Sequence, residues 1–558
     1  MLPNLLASRK GRLAAFFSLY VTEGIPLGFA ATAIATQLRR QGIGPAEIGA
    51  FVASFYLPWA FKWAVGPFID VYRSQRWGHR RGWILFTQIM MALTLLVLIP
   101  IPLPQGLGLF TVILFIHNSF GAMQDVAIDS LAVNTLSEDE RGLANGLMFA
   151  GAGVGQALGG SGVLFLMSYV PFQTTFFFVA LAISAVTGLV VLPMKEGVAK
   201  AIAIAPGETR FKAATREMRS FAVESFRSFV GTHGAFYALF FALLPAGAMS
   251  LGLALQSNLA VEIGMDDEAV GSLALWSNGI SAVFMVLGGW LSDRLGRRRT
   301  LAFYLAGMSF PVLYLMWILQ QHGYVMPRPP GGGAMSDLIH HFWIANLWYA
   351  VFQGLMYGTR SAIMMDVTNP RVAATQFTAY MAMMNLAIAI AAMWQGVAVE
   401  AWGYPTTLVV DALTGPLCCL LLPWLRQPAS FSDSLAQGRA KKMAFVLGVL
   451  CIAWVPYWTN HDLLGKGQPI MGTFFTLVFI GSALFLLAAR EVLDAAAGVW
   501  RNMALWLAPL LFAMYGRYYM AKLAPALQTL AQGLVHVVPL VAGVALIAIS
   551  RRDWHAAD

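Results

Sequence analysis

The sequence predicts an all-α membrane protein made of two similar six-helix sets and a tail of further apolar helices, and three observations predict it. Of the 558 residues, 58% are hydrophobic and only 11% charged, with a mean hydropathy of +0.66; soluble domains carry about 25% charged residues. A cationic hairpin between two apolar runs occurs twice, once in Phe61–Trp83 (FKWAVGPFIDVYRSQRWGHRRGW) and again in Gly288–Thr300 (GGWLSDRLGRRRT). Two copies of one device imply a duplicated architecture. Finally, with the N-terminus placed in the cytoplasm, the loops on that side hold 28 of the 36 Lys and Arg residues. Six lie on the other face (Arg39, Arg40, Arg328, Lys466, Arg517, Lys522) and two within spans (Lys62, Arg360). That is the asymmetry of the positive-inside rule, and it accounts for the net charge of +9 without nucleic acid.

About 20 apolar residues cross the hydrocarbon core, which places the first six spans at 13–38, 46–69, 82–101, 107–134, 142–168 and 171–194. They make a first half, 1–194. The polar stretch 195–234 follows as a connector, and its part 208–230 has the pattern of an amphipathic surface helix. A second half, 235–425, holds spans at 235–261, 268–291, 299–320, 339–366, 374–400 and 404–425. Beyond it, 426–558 contains a polar link and four more apolar runs at 443–458, 469–489, 501–519 and 527–549. The total is about sixteen spans, or fourteen if two of the weaker tail runs do not cross. An even number returns both termini to the cytoplasm. The basic segment Arg9, Lys10, Arg12 leads into a run of helix length without a cleavage pattern, so the first span is expected to remain. Cys418, Cys419 and Cys451 lie in apolar runs without metal or redox spacing and read as small hydrophobes.

Ionisable side chains at membrane depth are costly and concentrate where function is. The first span contains Glu23, the second Lys62, the fourth Gln124, Asp125 and Asp129, and the tenth Arg360 and, at its end, Asp366. Asp125 and Asp129 are one turn apart on one helix face, so they are the leading candidates for proton coupling, with Lys62 or Arg360 as counter-charge. A structural ion-pair network is the competing reading. Asp70 and Asp293, with Arg80, Arg81, Arg141, Arg294 and Arg297, are read as a cytoplasmic gate in which carboxylates near helix ends engage guanidinium groups and release them in the other state. Loop charges that only orient insertion are the alternative.

Trp59, Gln256, Tyr357, Trp394 and Gln395 are candidate lining for a sugar-binding cavity, though such residues are also common at bundle interfaces. Gly142, Gly146, Gly151, Gly155 and Gly159 read as close helix packing rather than a nucleotide loop. Ser137 and Glu140 have capping-box spacing. His340 and His341 sit at a helix start outside the membrane, where metal binding is a weak option, and His117 reads as a packed, hydrogen-bonded side chain. No metal site or cofactor is assigned.

The pattern shared by the two hairpins resembles the signature loop of major facilitator superfamily transporters, found there between helices 2 and 3 and again between helices 8 and 9. YVTEGIPLGF in the first span, FKWAVGPFID closing the second, and QDVAIDSLAVNTLSEDERG from the fourth into the fifth resemble segments of the peptide, acetyl-coenzyme A and drug branch. Its bacterial members include the AmpG-type muropeptide permeases of Gram-negative inner membranes. The resemblance is clearest over 13–165 and readable over 270–425. It implies a secondary active transporter of the inner membrane that imports anhydro-muropeptides with protons by alternating access, for cell-wall recycling. Its partners would be a glycopeptide substrate, protons and membrane lipid, with no nucleic acid. The alternatives are another amphiphilic organic anion, such as a siderophore or coenzyme A thioester, or a membrane sensor or enzyme that borrows the fold. Against the last, no nucleophile, metal or nucleotide constellation stands out, and the chain is not read as an enzyme.

Overall fold

In the computed structural model, which describes residues 4–72, 77–136, 138–196, 204–205, 207–324, 335–368, 373–425, 433–460, 468–493, 498–514, 516–517 and 525–552, the regular elements are helices. Eleven helices among the described residues are long and apolar enough to cross a membrane, and the chain is a multi-pass membrane protein. Large apolar side chains such as Val286 (74% exposed) and Leu181 (68%) point outward, as lipid contact requires.

Ten of the expected spans each correspond to one of these eleven helices, from Arg9–Arg40 at the start to Leu527–Ser550 at the end. The eleventh and twelfth run together as Gln376–Trp424, 49 residues. At 1.5 Å per residue that is about 74 Å, more than twice the hydrocarbon thickness. The stretch turns at Gly403 (φ 77°, ψ 168°) and so holds both expected crossings. The tenth is a 31-residue helix, Ser336–Asp366, and the fifteenth is short, Gly498–Ala513.

Two spans depart from the continuous helices expected. The second, 46–69, is Pro45–Ala60, a 3-10 turn Lys62–Ala64 and then Gly66–Val71, so Lys62 sits at the break itself. The seventh, 235–261, is His233–Leu243 and Ala254–Glu262 with ten residues between that are not α-helical. Pro245 removes a donor and clashes with the preceding turn. Gly247, at φ 75°, takes a backbone conformation that a side chain would resist.

Contacts divide the described chain into two compact units. One comprises 1–216, 242–363 and 381–422 and so contains most of both six-helix sets. Within it the first and fifth spans approach at backbone distance. A Cβ at Gly24, Gly28, Gly151, Gly155 or Gly159 would run into a main-chain carbonyl of the facing helix, Val21 O in the case of Gly155. Gly151, Gly155 and Gly159 of the fifth span are therefore a packing surface; Gly146, expected to pack as well, is exposed with open space where a Cβ would sit, and the side-chain environment of Gly142 lies outside the described residues. Gly155→Leu should separate these helices, with an overpacking cost of about 1–3 kcal/mol; a lower midpoint of thermal unfolding for the purified variant is the readout, and an unchanged midpoint would contradict this packing.

The other unit comprises 217–241, 364–380 and 423–558. Its core gathers Trp454, Phe479, Leu486, Leu511 and Leu546 of the tail around Phe226 and Val230, which belong to the connector helix Arg210–Gly231. Arg517, assigned to the face opposite the N-terminus, is buried within the protein, donating to Gly472 O (2.6 Å), Thr476 Oγ1 (2.7 Å) and Met514 O (2.8 Å) beneath the ring of Trp454.

Candidate functional site

The break in the second span delivers Lys62 to the fourth. Its Nζ lies 2.6 Å from Asp125 Oδ2, with the two side chains 13% and 3% exposed, and 5.6 Å from the centre of the Trp59 ring. One turn along the same face, Asp129 Oδ1 accepts a hydrogen bond from Tyr20 OH of the first span at 2.6 Å. Gln124 donates to Thr22 Oγ1 (2.9 Å), which also receives Gln88 Nε2 (3.2 Å); Gln88 Oε1 in turn accepts from Thr187 (2.7 Å). Side chains from five spans of the first half thus form one polar network. Two acceptors in it, Glu23 Oε2 and Gln124 Oε1, are buried without a hydrogen-bond partner among the described residues. Buried polar atoms are rarely left so, and these two are the places where water, a proton or a ligand group would be accommodated. His117 is buried, with Nδ1 between Thr94 Oγ1 and Met91 O.

The second half contributes differently. Arg360, 4% exposed, points one guanidinium nitrogen at the carbonyls of Ala242 and Leu244, both at 3.5 Å. Gln256 donates to Asn346 (2.8 Å), and Tyr357 is 37% exposed. Trp394 stacks edge-on against Trp402, and Gln395 donates to Asp411 (3.1 Å), so these two expected lining residues are occupied with neighbours of their own half. Asp411 was not among the expected site residues. It is 4% exposed and accepts from Met249 N, Ser250 N and Ser250 Oγ at 2.8, 2.9 and 2.6 Å, all within the broken seventh span.

The expected gate charges pair locally. Arg80 donates to Ser130 Oγ (2.5 Å), and the backbone N–H groups of Arg80 and Arg81 reach Glu196. Arg81 also binds Val191 O and Leu192 O. Arg297 closes on Asp293 one turn away (2.8 Å), and Arg294 lies 4.0 Å from the Trp290 ring. The side chains of Asp70, Glu140 and Arg141, and Ser137 entirely, lie outside the described residues.

Charges that tie the two halves together occur at the opposite end. Arg39 forms a buried ion pair with Glu262, whose carboxylate also receives Tyr404 OH (3.3 Å) and Tyr324 OH (3.4 Å). Beside it Arg40 binds Asp267 (2.6 Å) and Met265 O (2.8 Å), and Glu400 accepts from Ala46 N (3.0 Å). Gly49 and Gly396 let the second and eleventh spans meet at the carbonyls of Ala392 and Pro45. Ion pairs and close backbone contacts thus join the two halves at this end.

On the outer rim of the second half, His322 Nε2 meets Asp337 Oδ2 at 2.9 Å, and Asp337 Oδ1 lies 3.9 Å from His341. The Ile318 carbonyl and the Asp337 carboxylate hold the His322 imidazole above its usual range. Tyr314 OH contacts His341 Nδ1 (2.5 Å). Among the described residues, no three His, Cys, Asp or Glu side chains are grouped to hold a metal.

Two helical halves with charged residues at membrane depth and a charged seam at one end are the features of a secondary transporter, and the chain belongs to the major facilitator superfamily, whose family model matches residues 13–258 and 238–556. Among its relatives is an anhydromuropeptide permease of Escherichia coli K12, 23% identical over 432 residues that cover 75% of this chain and 81% of the permease. An uncharacterized protein of Haemophilus influenzae is 26% identical over 452 residues, 78% of this chain and 99% of that protein. The fold is similar to that of a D-xylose–proton symporter (TM-score 0.55, 11% identity, 73% of this chain and 97% of the other). It is equally similar to a POT family transporter solved with a thioalcohol-conjugated peptide (TM-score 0.56, 10% identity, 74% and 95%).

Proposed function

We propose that the protein is a proton-coupled importer of anhydro-muropeptides in a bacterial inner membrane, with both termini in the cytoplasm, working by alternating access between its two halves. The observation that carries this reading is the network around Lys62. Three carboxyl groups, Glu23, Asp125 and Asp129, gather near one ammonium: Asp125 pairs with Lys62, Asp129 accepts from Tyr20, and Glu23 lies against Asp125. In a medium of low dielectric such charges interact strongly, so taking up or releasing one proton rearranges which partners are favourable. A ligand or proton that binds one conformation better shifts the population toward it. The likeness to the Escherichia coli permease supports the substrate class. Trp59, Gln256 and Tyr357 offer aromatic and amide groups suited to a sugar and a peptide, with Arg360 for a carboxylate.

The test is uptake into proteoliposomes. Labelled anhydro-muropeptide should accumulate under an imposed inward proton gradient and not without one. Asp125→Asn or Asp129→Asn should cut that accumulation at least tenfold. Equal uptake by both variants and the parent would remove the two carboxylates from coupling, and accumulation of a siderophore or a coenzyme A thioester instead would overturn the substrate.

A further inference from the structure

Asp411 is a carboxylate at membrane depth that the proposed proton chemistry does not use, and its contacts say why. Four donors converge on it: Met249 N, Ser250 N and Ser250 Oγ on Oδ2, and Gln395 Nε2 on Oδ1. Two oxygens offer about four lone-pair sites; three donors crowd Oδ2 and one takes Oδ1, so most of its accepting capacity is committed to protein donors. What it binds is the stretch 244–253 of the seventh span, which is not α-helical and holds only a 3-10 turn at Ser250–Gly252. Most of that stretch makes no α-helical hydrogen bonds, and irregular backbone survives at this depth only where protein groups or a water-lined cavity replace them. Asp411 takes two consecutive N–H groups. Tyr349 OH donates to Ala248 O at 2.9 Å. Arg360 faces the carbonyls of Ala242 and Leu244.

Beyond the break, Ala254–Glu262 is a separate short helix, and its last residue is the Glu262 that locks onto Arg39. One turn earlier, Asn258 is wholly buried, and neither its Oδ1 nor its Nδ2 has a hydrogen-bond partner among the described residues. An amide sealed without partners is unfavourable. A segment that carries one next to a cross-half ion pair is in an arrangement that suits the latch and not the amide.

We infer that Asp411 is a positioning residue: it pins the unwound stretch 244–253 as a fixed pivot about which Ala254–Glu262 swings, opening the Arg39 end and exposing Asn258. This rests on the transport reading, but its test needs no substrate. Cys418, Cys419 and Cys451 are first replaced by alanine, and a single reporter, Asn258→Cys or, in the near half of the same span, Ala238→Cys, is introduced. The rate of reaction with a bulky maleimide is then measured in detergent. Asp411→Asn, which keeps an acceptor but cannot satisfy all four donors, should speed labelling at position 258 at least fivefold and leave position 238 unchanged. Ser250→Ala, which removes one donor, should speed it less. Parent rates at 258 in both variants, or an equal rise at 238, would overturn the pivot. Should Asp411→Asn not fold, Ser250→Ala decides by itself. Loss of proton-driven uptake by the parent would refute the transport reading and leave the labelling result standing.

Discussion

Lys62→Ala should lower both the thermal stability of the purified protein and its uptake, whereas the double variant Lys62→Ala/Asp125→Ala should recover stability and still fail to couple uptake to protons. The argument turns on what each substitution leaves behind. The pair is held at 2.6 Å with both side chains largely buried. Removing one partner of a buried pair costs about 3–5 kcal/mol, because the survivor is left uncompensated, while removing both is often close to neutral. In the single variant Asp125 would face Glu23 and Asp129 with no cation nearer than the rest of the network. The Trp59 ring would also lose the ammonium 5.6 Å from its centre. Thermal unfolding and proteoliposome uptake, measured on the parent, the two single variants and the double variant, form a cycle that separates a structural bridge from a coupling element. If Lys62→Ala matched the parent in both measurements, the pair would be neither.

Much of the fold was legible because bilayer thickness imposes a length on apolar sequence. Expected runs such as 107–134 and 171–194 fall within a few residues of the helices Leu107–Thr135 and Phe172–Val191. The two breaks were not legible. Pro and Gly are tolerated inside membrane helices, so Pro245 and Gly247 alone do not specify a break. Whether a helix opens there depends on side chains more than 90 residues away that accept and donate in its place, here Asp411 and Tyr349. Asp125 and Lys62 were found from the cost of charge in lipid. Asp411 carries the same signal, a lone carboxylate in the apolar run 404–425, and what it binds, the backbone of the seventh span, is not written in its neighbours. The latch was missed for a different reason. Arg39 and Arg40 and their partners Glu262 and Asp267 lie at span ends, where charge is ordinary, and spacing along the chain says nothing about which ends meet. They are more than 220 residues apart in sequence.

That latch carries the other large expectation. Glu262→Gln should shift the protein away from the closed arrangement of the Arg39 end. The carboxylate is the common partner of Arg39, Tyr404 and Tyr324, all buried, so neutralising it weakens three contacts at once while keeping the shape of the side chain. Hydrogen bonds to a charged group contribute about 1.5–3 kcal/mol each, and every 1.4 kcal/mol changes a population ratio tenfold. Arg40→Gln, which releases Asp267, should do less, since that pair is 30% and 24% exposed and solvent screens it. Spin labels at Ile43→Cys and Glu268→Cys, flanking the seam, would report the change by pulsed electron resonance. The parent should give one short distance, Glu262→Gln an added longer one, and Arg40→Gln a smaller share of it. A seam held by shape alone, through the glycine contacts at Gly49 and Gly396, would give the parent distribution in every variant, because those contacts involve no charge. The result therefore decides whether charge or close packing keeps this end shut.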